Sequence, residues 1–370
     1  VNPIIVRGDG KYKDYSVYWG AIHTHSSIGG HALHTTDFAY DWAHNVEGLD
    51  FFSIAEHCSK KSLELPFDWK KLKDYGVDYS DPNEFIAFSG YEWTSNKEGH
   101  RHVILKNAEE WDEVPCNLNS VGTYTLSDID DLLNNLTGTE ALAIPHHTGW
   151  NFVGAVKWGS WKDHPNQPLV EMYSWHGGSE FYDSGLPMRF STSNQHPKGS
   201  GFFVQEALKD GYKFGFTSDS DNHVGKPASN TNGGTWDNYY SRMGITGVYT
   251  KEYSRDAIWD ALNNRRTYGT TGARILGYFR INGRFVGSEF NTSRNPRIDV
   301  KLYGTDEFSE VFVYRNGEEL VYYDHPLKKN VQFKWTDNNV TSGESYSYYV
   351  KGIQEDGERV WISPIWVNYL

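Results

Sequence analysis

Five short apolar runs finish on an imidazole or a carboxylate. LDFFSIAEH ends at Glu56 and His57, EFIAFSGYEW closes around Glu92, ALAIPHH ends at His146 and His147, LVEMYSWH ends at His176, and KFGFTSDSDNH ends in Asp219, Asp221 and His223. Runs of this length, bounded by turn formers, read as buried strands. Between them TTDFAYDWAHNVE and SDIDDLLNNL carry helical periodicity, the second with Ser127 as N-cap and acids in its first turn. Continuous apolar strands alternating with helices predict a mostly parallel sheet. Polar groups gathered at strand C-termini are how a (β/α) barrel displays its site, and an open doubly wound sheet displays one in the same way. Convergence of side chains from many strands on one point favours the barrel.

The segment GAIHTHSSIGGH adds His23, His25 and His31. Fourteen of the fifteen histidines lie at or before His223, and only His325 follows. Outside acid–base chemistry, neutral imidazole serves chiefly as a metal ligand. His23 and His25, and His100 and His102 in EGHRHV, are pairs at i and i+2, which a strand places on one face. His146 and His147 are consecutive, so on a strand they point oppositely and one of the two is expected at the site. Asp221 and His223 repeat the same-face spacing. Glu92 lies amid apolar residues, where a buried carboxylate requires a cation or hydrogen-bond donors. Imidazole and carboxylate ligands without thiolate suit zinc, manganese or iron.

A helix over 254–265 closes this region, after which the pattern changes to alternating strands with Asn-Gly and Asp-Gly turns. That reads as a small immunoglobulin- or fibronectin-like β-sandwich, with a barrel domain over 1–274 and the sandwich over 275–370. The net charge of −13 argues against a nucleic-acid partner. No run of apolar residues is long enough for a membrane span. Cys58 and Cys116 are too few for a disulfide framework; two free thiols are expected ahead of a single bridge between them. The chain begins at Val1 rather than Met, and a periplasmic or secreted location is expected ahead of a cytoplasmic one. Trp93, Trp150, Trp158, Trp161 and Trp175 flank the ligand segments, as walls of a cleft for a ring or sugar or as loop packing. No P-loop or GxGxxG signature calls for an organic cofactor.

Taken in order, WGAIHTHSSIGGH, LDFFSIAEH, GYEWTS with GHRHV, IPHHTG, VEMYSWHGGSE, TSDSDNH, and RRTYGTTGARI with FRINGRFVG resemble the PHP (polymerase and histidinol phosphatase) superfamily of metallohydrolases, and within it the CehA/McbA-like branch. The resemblance implies an α/β fold, a distorted (β/α)7 TIM-like barrel, holding two or three divalent ions. It carries ligand roles to His23, His25, His31, His57, Glu92, His100, His146, Asp221 and His223. Glu56 stands where the family more usually has Asp. His100 is the better match than His102, where the family usually has Asn; His146 is preferred to His147 and Asp221 to Asp219.

The implied reaction is hydrolysis by a metal-bridging hydroxide. Glu92 bridges; His23, His25 and Asp221 serve one ion, His100 and His146 a second, and His31, His57 and His223 a third. Arg101 and Arg274 are candidates for stabilising an anion, and His176 for giving a proton to the leaving group. Alternatively, Arg274 ties the two domains together and His176 orients a ligand. Glu171 and Glu180 are candidates for orienting ligands or substrate. A phosphomono- or phosphodiester is the leading substrate class, small or saccharide-linked. A carboxylic-ester, carbamate or amide hydrolase on the same cluster is the alternative, and a non-catalytic carbohydrate-binding protein the third reading. Oligomeric state is not legible.

Overall fold

The computed structural model describes residues 6–7, 15–29, 32–58, 71–95, 97–109, 128–150, 154–186, 188, 199–229 and 243–370. At its centre the strand Ser16–Ala21 is buried on both faces. It runs parallel to Phe51–Ser53, which runs parallel to the start of Ile86–Trp93. The far half of that eight-residue strand receives Glu56–Cys58 in parallel and Arg101–Leu105 antiparallel, and Ala141–Pro145 follows antiparallel. On its other side Ser16–Ala21 pairs antiparallel with Ile245–Thr250, which pairs antiparallel with Thr267–Thr270. Leu169–Glu171 and Gly215–Thr217 form a separate parallel pair.

The sheet is therefore mixed, and among the described residues it does not close into the expected (β/α)7 barrel. One reason lies in the connection over 94–100, which is far shorter than the dozen or so residues a parallel crossover needs. Arg101–Leu105 can only turn back on its predecessor.

The helical expectations fall where the periodicity puts them. Thr36–Asp41 is α-helical and continues as a π-helical turn over Trp42–Val46. Ile129–Leu136 is capped by Asp128; Ser127, the expected cap, lies outside the described residues. Arg255–Asn263 starts at Ser254, whose hydroxyl accepts the Ala257 N–H at 3.1 Å. Its buried face, with Ile258, Trp259 and Leu262, packs with Phe88, Ile104 and Leu142 of the sheet.

Beyond residue 275 the strands Leu276–Ile281, Arg297–Arg315, Glu319–Asp324, Lys328–Thr336, Ser345–Gln354 and Arg359–Tyr369 pair antiparallel, while the short strand Glu289–Thr292 runs parallel to Arg359–Tyr369. This region is hydrogen-bonded to the rest. Thr267–Thr270 pairs antiparallel with Arg359–Tyr369, Tyr268 facing Ile362, so one ladder crosses the expected domain boundary.

Cys58, expected as a free thiol, is disulfide-bonded. The other cysteine, Cys116, lies outside the described residues. Spacing along a chain does not reveal whether two thiols approach in space, so the less expected alternative, a bridge, is the one found. No helix among the described residues is long and apolar enough to cross a membrane.

Candidate metal centre

The strand register brings the centre together. Glu92, 1% exposed, lies level with His57 on the parallel neighbour and with His102 on the antiparallel one. His23 and His25 stand on the segment leaving Ser16–Ala21. Glu92 Oε1 is 2.7 Å from His100 Nδ1 and 3.5 Å from His146 Nε2. Its Oε2 is 3.0 Å from His57 Nδ1, 3.3 Å from His25 Nε2 and 3.9 Å from His23 Nε2. The two oxygens of one buried carboxylate thus face two different sets of imidazoles.

Asp221 does the same from the opposite side. Its Oδ1 is 3.3 Å from both His23 Nε2 and His25 Nε2, and its Oδ2 is 3.1 Å from His176 Nε2. Glu171 contacts the other nitrogen of His23, Nδ1, at 2.8 Å, which turns Nε2 toward the cluster. Five sets of three ligand atoms lie within 4.8 Å of one another: His23, His102 and His146; His25, His57 and His223; His100, His146 and His147; His23, His25 and Asp221; and His176, Asp221 and His223.

Both His146 and His147 face the centre, their ring centroids 4.3 Å apart, which corrects the expectation that one points away. Alternation fails because the strand ends at Pro145 and His147 has a φ of 34°. Asp221, at φ 47°, is likewise in the left-handed region. Non-glycine residues hold such conformations at a cost, and they gather at functional sites. His100 and His102 share a face as the i, i+2 spacing requires; their ring centroids lie 5.8 and 5.9 Å from that of His146. The sequence weighed His102 and His147 as alternatives, and the structure places them among the same ligand sets as His100 and His146.

The donor set fits divalent cations. Both ring nitrogens of His102 and Nδ1 of His25, His146 and His147 are buried without a hydrogen-bond partner. Burial alone would raise the pKa of Glu92, but the imidazoles of His57 and His100 outweigh it and hold the carboxyl well below the usual range. Burial likewise opposes ionisation of Asp221, and His23 and His176 overcome it. Burial keeps His102, His147 and His223 neutral by pushing their pKa values well down, and it lowers His146 to about 3. Burial also acts against protonation of His25, yet Asp221 and Glu92 raise it to about 9. Burial opposes protonation of His23 as well, and Asp221 and Glu171 overcome it, so protons on His23 and His25 answer the charge of Glu92 and Asp221; what still calls for a cation is the set of buried imidazole nitrogens left without partners.

The remaining candidates are placed as follows. His31 lies outside the described residues. Arg101 is buried, and its guanidinium donates to the carbonyls of Glu98 (2.5 Å) and Gly99 (2.8 Å) and to Gln167 (3.3 Å). Arg274 donates to the carbonyls of Glu47 (2.6 Å) and Gly48 (3.0 Å). Both guanidinium groups thus hold backbone carbonyls of loops. Asp219 accepts the backbone N–H of Ile22 at 2.5 Å instead of joining the cluster. Glu180 is bound by Lys351 of the C-terminal strands. Trp150 and Trp175 lie beside His176, with centroids 4.8 and 4.7 Å away, whereas Trp158 and Trp161 pack on Phe214 in the core. Gly154 had no signal in the sequence: at φ 104° it lies against His100, and an added Cβ would overlap that imidazole.

A family model described as a protein of unknown function (DUF3604) matches residues 43–156 and 228–307, just over half of the chain. The chain belongs to that family. The matched DUF3604 blocks carry His57, Glu92, His100, His102, His146 and His147. Among curated proteins the chain is similar to uncharacterized proteins of Chlamydia trachomatis serovar D (26% identical over 383 residues) and Chlamydia muridarum (26% over 382). Each alignment covers 95% of this chain and 57% of the relative, so the chain spans a little over half the length of those relatives. Among solved structures it is similar to a two-domain protein of Bacteroides vulgatus containing a predicted PHP-like metal-dependent phosphoesterase. That match has 16% identity and a TM-score of 0.49, and it covers 98% of this chain and 99% of the other. The fibronectin(III)-like modules of Clostridium thermocellum CbhA match 25% of this chain and 97% of theirs at 20% identity and a TM-score of 0.19. At these scores the likeness establishes neither fold nor function.

Proposed function

We propose that this DUF3604 member is a metal-dependent hydrolase of the PHP type, holding two or three divalent ions and cleaving phosphomono- or phosphodiesters. One observation carries the reading: Glu92 directs its two oxygens at two separate sets of imidazoles, as a carboxylate shared between ions must. His23, His25 and Asp221 would hold one ion, His100, His146 and His147 a second, and His57 and His223 together with His25 a third. Bound there, such ions supply Lewis-acid activation of water and neutralise charge on the oxygens of the ester. His176 is held by Asp221 through Nε2, and its Nδ1 is buried without a partner, so the protonated ring has one N–H to give a leaving oxygen. The disulfide at Cys58 supports a periplasmic or secreted location, where such bonds persist. The antiparallel strands beyond residue 275 are read as a β-sandwich.

The engagement of Arg101 and Arg274 by carbonyls favours a second reading, hydrolysis of a less charged carboxylic ester, carbamate or amide. A substrate screen separates the two. Protein reconstituted with zinc, manganese or iron is assayed on p-nitrophenyl phosphate, bis-p-nitrophenyl phosphate, p-nitrophenyl acetate and a naphthyl carbamate, with metal content measured alongside. The leading reading expects at least two ions per chain and turnover of a phosphate ester. Turnover of the carbon esters alone would replace it with the second, and a protein that retains no metal would remove both.

A further inference from the structure

Away from the histidine centre, the C-terminal strands gather cations on one outward face. Arg280 lies in register with Asp299, and Asp299 with Lys334, across three adjacent strands. One step along, Arg297 lies opposite Thr336. Side chains alternate across a pleated sheet, so these residues project away from Ile281, Ile298 and Val300, which are fully buried on the inner face.

The turn after Leu276–Ile281 fixes two more elements of the face. Asn282, at φ 49°, accepts the Arg297 N–H at 2.9 Å through Oδ1 and donates through Nδ2 to the Arg294 carbonyl at 3.3 Å. Thr292 Oγ1 accepts the Arg294 N–H at 3.0 Å. The backbones of Arg294 and Arg297 are thereby held, while their guanidinium groups are exposed and have no acid partner among the described residues. Arg280, Arg294, Arg297 and Lys334 surround a cavity of about 450 Å³ in which Asp299 is the sole carboxylate.

Four cations around one acid is an unusual grouping in a chain whose net charge is −13. Gathered like charges repel, and a bound anion relieves that repulsion. The planar guanidinium fork matches tetrahedral and carboxylate oxyanions through paired N–H donors. The volume lies within the roughly 300–1,000 Å³ of small-molecule sites, leaving room for an organic body behind the charged group. We propose that this cleft binds a small organic ligand through a phosphate or sulfate ester group, at a site separate from the histidine centre. The proposal does not rest on the hydrolase reading.

Titration calorimetry on the full chain at low ionic strength tests it, with glucose 6-phosphate, glucose 6-sulfate, inorganic phosphate and inorganic sulfate as probes. Binding of an ester by the wild type is expected, weakening as salt is added. Arg294→Gln/Arg297→Gln should lower that affinity at least tenfold without changing the thermal midpoint or the turnover of the substrate screen. Arg297→Lys should recover part of it. Comparison of the phosphate and sulfate arms identifies the ester. Glu92→Gln, at the histidine centre, should leave cleft binding unchanged. Equal affinity in the double arginine variant, loss of binding with Glu92→Gln alone, or no heat from any probe at millimolar concentration would each overturn the proposal.

Discussion

Glu171 shows how a single side chain prepares a ligand without joining the ligand set. It is buried, its Oε2 is 2.8 Å from His23 Nδ1, and burial pushes its carboxyl up to about 7. By engaging Nδ1 it fixes the ring orientation and leaves Nε2 facing Asp221. Glu171→Gln keeps the shape and removes the negative charge, so the basicity of His23 falls. Metal affinity should drop about 10- to 100-fold, measured by competition with a chelating dye. Unchanged affinity would show that packing alone orients the ring. The sequence pointed at Glu171 only as one acid in VEMYSWHGGSE, because a contact between residues 23 and 171 has no local signature. His23, His25, His57, Glu92 and Asp221 were legible because strand alternation and strand ends are local properties. The partners of Arg101, two backbone carbonyls, were not legible for the complementary reason: an arginine beside ligands carries no local sign of what it will hold.

At the scale of elements, the hairpin of Tyr173–Ser174 with Gly177–Gly178 presents His176 in its turn, and the C-terminal strands hold the segment that follows. Lys351, 2% exposed, donates to Glu180 Oε2 at 2.5 Å, and Tyr349 donates to Oε1 of the same carboxylate at 2.9 Å. Gln205 donates to the Tyr349 hydroxyl at 2.6 Å, and Arg359 donates to the Ser184 carbonyl at 2.6 Å. Lys351→Met would strand the Glu180 charge in the interior and should cost about 3–5 kcal/mol in urea denaturation. Adding Glu180→Gln should recover most of that loss, since the uncompensated charge goes with it; a second variant no more stable than the first would show that the pair acts through packing instead. Lys351 stands in YSYYVKGIQ, where alternation reads as an ordinary sheet lysine. Its burial comes from the segment of residues 173–186 laid against it, a tertiary fact that no window of sequence contains. The strands themselves were legible beyond residue 275, and their pairing back onto Thr267–Thr270 was not.

For the whole molecule, one buried acid sets a measurable dependence of stability on pH. Asp50 is 3% exposed and accepts the Trp19 N–H at 2.7 Å, while its other oxygen has no partner. Burial raises its pKa from 3.8 to about 6. The folded chain therefore keeps this proton where the unfolded chain has released it. The contribution of Asp50 falls as pH rises from about 4 to about 6 and is constant above, with a ceiling of roughly 3 kcal/mol. Asp50→Asn preserves an acceptor for Trp19 and abolishes the titration. The variant should match the wild type near pH 4 and exceed it in denaturant resistance at pH 7, and an equal difference at both values would sink the assignment.

The ladder that joins Thr267–Thr270 to Arg359–Tyr369 has a consequence for biosynthesis. A nascent chain that has exposed everything through residue 270 still presents a raw strand edge, and its neighbour is translated nearly a hundred residues later. Until then that edge is open to pairing with other chains, and contacts of such long sequence separation form slowly. Premature termination upstream of the closing strand should consequently yield aggregates rather than a smaller working protein.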